Sequence, residues 1–293
     1  MGGAAHAGLR PVQEAASRLW NPGRHWTPGE IAWAFLTASA AQDVWLIADG
    51  WVWRRDGCLA ILASDPAAVL EIIQGWAPGL PVQVPDGDNV LLRALDRAGY
   101  REIPTATFQL DLRLATRDAP SPVLPDGYLI RSAHPSDDLL GVHRAAWRPA
   151  DLPFADGHAP PVAAEATSSF TAAMLAAVQA AWPYQQDLHL VVQSPDGSLA
   201  ASCITWLDPA TGVAAIEPLG VRPGHRRLGL AGALCLHAAR LVEQAGGQDL
   251  VIHPRGDPAY PAPRGTYLRC GFTPAGRTRI YTPPSDPSVP DRS

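Results

Sequence analysis

The chain has 293 residues, of which 47% are apolar and 17% charged, and a formal net charge of -5. That is length for about two domains, and the composition is that of a folded globular protein rather than a disordered one. The acidic balance argues against nucleic acid or an anionic membrane as partner, since both need a basic face, and the complete lack of lysine excludes a Schiff-base lysine and the P-loop lysine.

The amino terminus has no continuous apolar core, and no segment reaches the ~18 residues of a membrane span, so a cytoplasmic protein is expected. Thr27 followed by Pro28 and Glu30 opens a helix predicted over 27–40. "DVWLIADGWVWRRDGCLAILAS" reads as three strands joined by the turns Asp49-Gly50 and Asp56-Gly57. Asp65 and Pro66 start a helix to about residue 76, another covers 89–98, and a strand over 107–114 closes the first domain, 1–114. Residues 115–127 hold three prolines and no apolar period, which marks a linker.

The second domain, 128–282, starts with a strand over 128–132 and helices over 136–147 and 163–181. A hairpin around Asp196-Gly197 and a strand over 213–221 follow. Then come a helix over 229–245, a strand over 249–253, a short helix ending near Cys270 and a last hairpin through Tyr281. The tail 283–293 is expected to be disordered. Cys58, Cys203, Cys235 and Cys270 show no metal-ligand spacing and read as reduced thiols, with a nucleophilic Cys270 disfavoured.

The most informative stretch is "EPLGVRPGHRRLGLAGAL", in which a strand passes through a basic turn into a helix. Leu230, Leu234, Ala238, Leu241 and Val242 share one face of that helix, but its amino end lacks a Ser, Thr, Asp or Asn cap. Arg226 and Arg227 stand there against the helix dipole, at a cost that an anion would reverse. With Gly229 allowing close approach, the amides of residues 227–231 could cradle a phosphate; an ordinary solvated basic corner is the competing reading. Pro218 cannot donate within its strand, so a bulge or a free edge is predicted there.

Arg226-x-x-Gly229-x-Ala231 after a strand ending "GVRP" resembles the Q/R-x-x-G-x-G/A pyrophosphate loop of the GNAT acyltransferase superfamily. Tyr267-Leu-Arg-Cys-Gly271-Phe272 resembles that family's Y-x-x-x-G-F at its last helix-to-strand junction. The resemblance covers residues 128–282 and departs at "YPAPRGTY", where the family often has Asn, Ala and Leu. "LLRALDRAGYRE" echoes the second motif in the first half, whose counterpart of the loop has no Arg-x-x-Gly.

The resemblance implies an α+β fold of two tandem GNAT-like domains, each a mixed, mostly antiparallel sheet flanked by helices, the second splayed and the first degenerate. It implies acetyl-CoA or another acyl-CoA as co-substrate, with pantetheine against the strand at Leu219 and Val221 and pyrophosphate at Arg226, Arg227, Leu228, Gly229, Leu230 and Ala231. Glu217 matches a carboxylate acting through water as base, and Tyr267 matches the general acid. His225 and His253 stand near the loop and at a strand end, where contact with phosphate or acceptor competes with plain packing. Asp151, Asp156 and Glu165, with Trp147 and Phe154, would suit an ammonium guest, though a solvated acidic loop reads equally well.

The expected activity is transfer of an acyl group from CoA to a small-molecule amine, with room for self-association. A protein or peptide N-acetyltransferase and a non-catalytic acyl-CoA-binding regulatory module are the alternatives.

Overall fold

The structure, a computed structural model, describes residues 5–6, 8–38, 42–47, 49–77, 79–104 and 107–284. Most of the predicted tail lies outside them. The first half runs β1 (Ala5–His6), α1 (Leu9–Leu19), α2 (Pro28–Leu36), β2 (Asp43–Ile47), β3 (Gly50–Arg55), β4 (Cys58–Ala63), α3 (Pro66–Trp76), β5 (Val82–Pro85), α4 (Asn89–Arg97), β6 (Arg101–Ile103) and β7 (Leu110–Ala115). The second runs β8 (Leu129–Ser132), α5 (Leu139–Ala146), α6 (Ala172–Ala180), β9 (His189–Gln193), β10 (Leu199–Asp208), β11 (Val213–Val221), α7 (Leu230–Gln244), β12 (Asp249–Ile252), α8 (Pro261–Arg269) and β13 (Thr273–Thr282).

Local chemistry sets the helix starts. Thr27 and Glu30 form a reciprocal capping box on α2, with Pro28 in its first turn. Asp65, Asp88, Asp138 and Thr171 each accept an amide of their own helix. The cap at Thr171 sets the start of α6 at Ala172 rather than near residue 163. The amino-terminal helix α1, not expected from sequence, buries Val12, Ala15 and Ala16 on one face.

Strand order is β1-β2-β3-β4-β5-β13-β7-β12-β11-β10-β9-β8, with β6 on β13. Each half contains one parallel pair, β4 with β5 and β11 with β12, and every other pairing is antiparallel. The halves exchange their closing strands. β7, expected to close the first half, inserts between β12 and β13. β13 pairs β7 along residues 273–277, then crosses into the first half to pair β5 and β6 along 278–282.

The expected final hairpin is therefore absent: β13 is one continuous strand whose partners lie far away in sequence. A register shift between Pro274 and Gly276 interrupts its pairing with β7, three residues before it passes to β5 at Thr278.

Helices α3 and α4 cover one face of the first half over Val52, Ile61, Leu70 and Leu95, while α1 and α2 cover the other over Trp51, Trp53 and Leu62. In the second half α7 buries Leu230, Leu234, Ala238 and Val242 against Leu112, Cys203, Ile216 and Leu250. Helix α2 also crosses to the second half, where Ala32 packs with Val178, Ile204 and Trp206. The approach is close enough that a Cβ on Gly29 would lie 2.1 Å from the Cβ of Trp206, so only glycine fits. No helix among the described residues is long and apolar enough to cross a membrane.

Candidate active site

β11 follows β12 only from Val213 to Ala215 and then leaves it. On its other side it keeps β10, but between Cys203 and Thr205 the register slips, so that Glu217 and Pro218 stand opposite Ile204 alone. This is the bulge that Pro218 predicts. Beyond Ala215 the edge of β11 that faces away from β10 has no strand partner among the described residues, and a cleft of about 1130 Å³ opens there. Its walls include Glu217, Leu219, Val221, Arg226, Arg227, Gly229, Leu230, Ala231 and Tyr267. Leu228 points into solvent instead, 42% exposed.

The turn before α7 is conformationally specialised: Arg227 has φ 66° and Gly229 φ 80°, both left-handed. Gly229 takes the N-cap position without a side-chain cap. Among the described residues nothing accepts from the amides of residues 227–232. Several aligned donors thus face the cleft at the positive end of a helix, which is anion-binding geometry.

Arg226 is spent differently from expectation. Its guanidinium donates to the carbonyls of Val221 (3.1 Å), Ala146 (3.0 Å) and Asp151, which fastens the turn to the end of α5. Its amide bonds Pro223. Exposed Arg227 keeps its side chain at the cleft. His225 is held by the Tyr128 hydroxyl at 2.9 Å.

Glu217 and Tyr267 both line the cleft, and neither side chain has a hydrogen-bond partner among the described residues. Burial, and next the charge of Glu30, push the Glu217 carboxyl up to about 7, while His253 and Arg55 pull the other way. Burial also drives the Tyr267 phenol well above its ordinary value, so it stays protonated. Cys270 is packed against Gly232 with its thiol pushed up by burial, which suits a packing role rather than a nucleophile.

The sequence did not reveal how much of this wall the first half supplies. Glu30 uses Oε2 in the α2 capping box and takes the Nδ1 proton of His253 on Oε1. Asp111 of β7 lies 3.5 Å from the Nε2 of His253 and is bridged by Arg113 at 2.8 Å. Burial opposes the His253 imidazolium, but the two carboxylates outweigh it and raise the group to about 10. His25, whose ring lies tilted against that of His253 with centroids 4.0 Å apart, is held well below its ordinary value by burial and then by that neighbouring charge. The sequence signal for Glu30 was fully absorbed by its capping role.

Of the five side chains singled out in the expected acidic loop, the aromatic ones approach the site and the carboxylates do not. Trp147 lines the cleft, and Phe154 packs edge-on against Tyr260, a cleft residue, at 4.9 Å. Asp156 and Glu165 are exposed and line no part of the cleft, and Asp151 pairs with Arg148 at 3.4 Å.

Residues 161–272 match the family model described as "Acetyltransferase (GNAT) family". No curated protein matches the sequence. Among solved structures, a GCN5-related N-acetyltransferase from Sphaerobacter thermophilus shares 18% identity over 98% of this chain and 96% of its own, with a TM-score of 0.53. A GNAT-family acetyltransferase from Colwellia psychrerythraea shares 13% over 96% and 99%, with a TM-score of 0.59. A tandem GNAT protein from the clavulanic acid biosynthesis pathway shares 14% over 98% and 99%, with a TM-score of 0.53. These likenesses extend over both halves, so the overall fold is that of tandem GNAT proteins. The bulged strand, the uncapped turn and Tyr267 all lie within the segment that matches the GNAT family model, and the fold around them is the GNAT fold.

Proposed function

We propose that the protein transfers an acyl group, acetyl in the simplest case, from CoA to the amine of a small molecule by direct attack on the thioester. The observation that carries the reading is the row of unpartnered amides at residues 227–232, opening on the same cleft as Glu217 and Tyr267. Those amides and Arg227 fit a pyrophosphate. The free edge of β11 at Leu219 fits the amides of a pantetheine arm, as one strand pairs with another. The Val221 carbonyl is already engaged by Arg226, so Leu219 carries most of that role.

An attacking amine must shed a proton and the departing thiolate must gain one. Glu217, with its affinity for protons raised toward neutrality, accepts the first through water; Tyr267, kept protonated by burial, supplies the second. The acceptor end is narrowed by the first half, because α2 lies on the second half at Trp206 and brings Glu30 beside Glu217. The Glu217 carboxyl in that narrowed space favours a small amine over a protein segment.

The test is mass spectrometry after incubation with acetyl-CoA and a panel of small amines and of peptides. Acetylation of a small amine, lost on Tyr267→Phe, is expected. Transfer to peptides alone moves the acceptor class to proteins. If thioester is only hydrolysed slowly, at a rate unchanged by Tyr267→Phe or Glu217→Gln, the catalytic reading fails.

A further inference from the structure

We propose that His25, Asp111 and His253 form a binding site for one divalent transition-metal ion of the zinc class, at the seam between the two halves. One ligand atom from each of the three lies within 4.8 Å of the others. They come from three separate segments: the loop before α2, strand β7, and the residue just past β12. His25 is 6% exposed and Asp111 3%, so this is an enclosed group and not a solvated acidic patch.

The hydrogen bonding around the cluster is incomplete in a way that points inward. The Nε2 atoms of both histidines are buried and have no hydrogen-bond partner. Buried ring nitrogens are rarely left so, since each forfeits its bond to water. A lone ion pair between His253 and Asp111 does not account for them: at 3.5 Å the contact is long for a hydrogen bond, and it leaves His25 with nothing. That distance is instead close to the edge of a coordination tetrahedron, about 3.3–3.4 Å for bonds of roughly 2.0–2.1 Å. From a separation of at most 4.8 Å, a contraction of no more than about 1.5 Å across the widest pair would complete the triangle.

The surroundings are those of a metal site as well. Metal-bound histidines characteristically give their other ring proton to a carboxylate, which fixes the ring and leaves the second nitrogen free to coordinate. His253 does this toward Glu30, and a bound metal ion would take the place of the Nε2 proton that Glu30 and Asp111 favour on His253 in its absence. Asp111 is oriented by Arg113, whose shortest bond goes to Oδ2 at 2.8 Å, while Oδ1 is the oxygen nearest His253. The charge of Arg113 works against a cation; the two carboxylates of Asp111 and Glu30 offset it. Two imidazoles and one carboxylate, with no thiolate, select zinc, cobalt or nickel over calcium and magnesium. A three-residue set leaves a fourth position open.

The site does not depend on the acyl-transfer reading, and its test does not use activity. The full-length protein is stripped with chelator, dialysed and titrated with cobalt(II). We expect one equivalent to bind with the visible bands of a tetrahedral centre, and equimolar zinc to abolish them. Zinc should raise the melting temperature of wild type but not of His25→Ala or Asp111→Asn. In parallel, zinc should shift the ring resonances of only two of the nine histidines. That readout needs no variant, so it decides the matter even if a substitution prevents folding. No saturable uptake by wild type, bands that survive both substitutions, or zinc shifts confined to other histidines would each overturn the proposal.

Discussion

The carboxylate of Glu30, in the first turn of α2, accepts the Nδ1 proton of His253, which lies more than two hundred residues later at the end of β12. The two side chains are 14% and 8% exposed, so this bond joins the halves inside protein rather than in water. Removing one partner of a buried pair strands the other. Glu30→Gln keeps the cap geometry but loses the charge, and should lower unfolding free energy by about 3 kcal/mol. Urea unfolding of the two proteins checks it. A loss within experimental scatter would mean that water already screens the pair.

The pH dependence of catalysis follows from Glu217. Its carboxyl is raised to about 7 by burial and by Glu30. A base acts only when ionised, so kcat/KM should rise with pH through about 7 and level above it. Glu217→Gln should remove that limb and lower the plateau by about 100-fold. A profile that keeps its limb in the variant assigns it to another group.

Tyr267 is tested at the other proton. Tyr267→Phe deletes one oxygen from a ring packed 6.0 Å from Phe272 and leaves the packing intact. We expect kcat to fall by about 100-fold with little change in the KM for the thioester. A matching loss in thioester affinity would place the hydroxyl in binding instead.

Stability should also depend on pH, through two buried histidines that do not line the cleft. Burial holds both His143 and His189 down to about 4. Their neutral forms are favoured by the fold, whereas the unfolded chain takes up protons near 6.5. Their contribution is therefore complete above about 6.5 and lost as the pH falls toward 4. The effect should be on the order of 3 kcal/mol for each histidine. Denaturant melts at intervals across that range measure it, and His189→Gln should flatten the slope.

What was legible in the sequence was whatever neighbours in the chain determine. The Thr27 cap, the Asp56-Gly57 turn, the strand Val213–Val221 with its bulge and the uncapped start of α7 all arise from residues a few positions apart. What was not legible depends on distant partners. Nothing near Thr273 indicates that its strand would pair with Arg113, or that residues 278–281 would leave for β5. The basic turn itself misled in one detail. A pair of arginines suggests two phosphate ligands, but Arg226 is surrounded by carbonyls at the end of α5 and holds the backbone that Arg227 then presents.

Strand β13 ties completion of both sheet halves to one late segment of the chain. Until residues 273–282 emerge from the ribosome, β7 lacks one neighbour and β5 another, leaving two raw edges exposed to any passing chain. The halves are thus not separable cassettes. Either one expressed alone would carry an open seam, and a nascent chain stalled before residues 273–282 would be a candidate for aggregation rather than for folding.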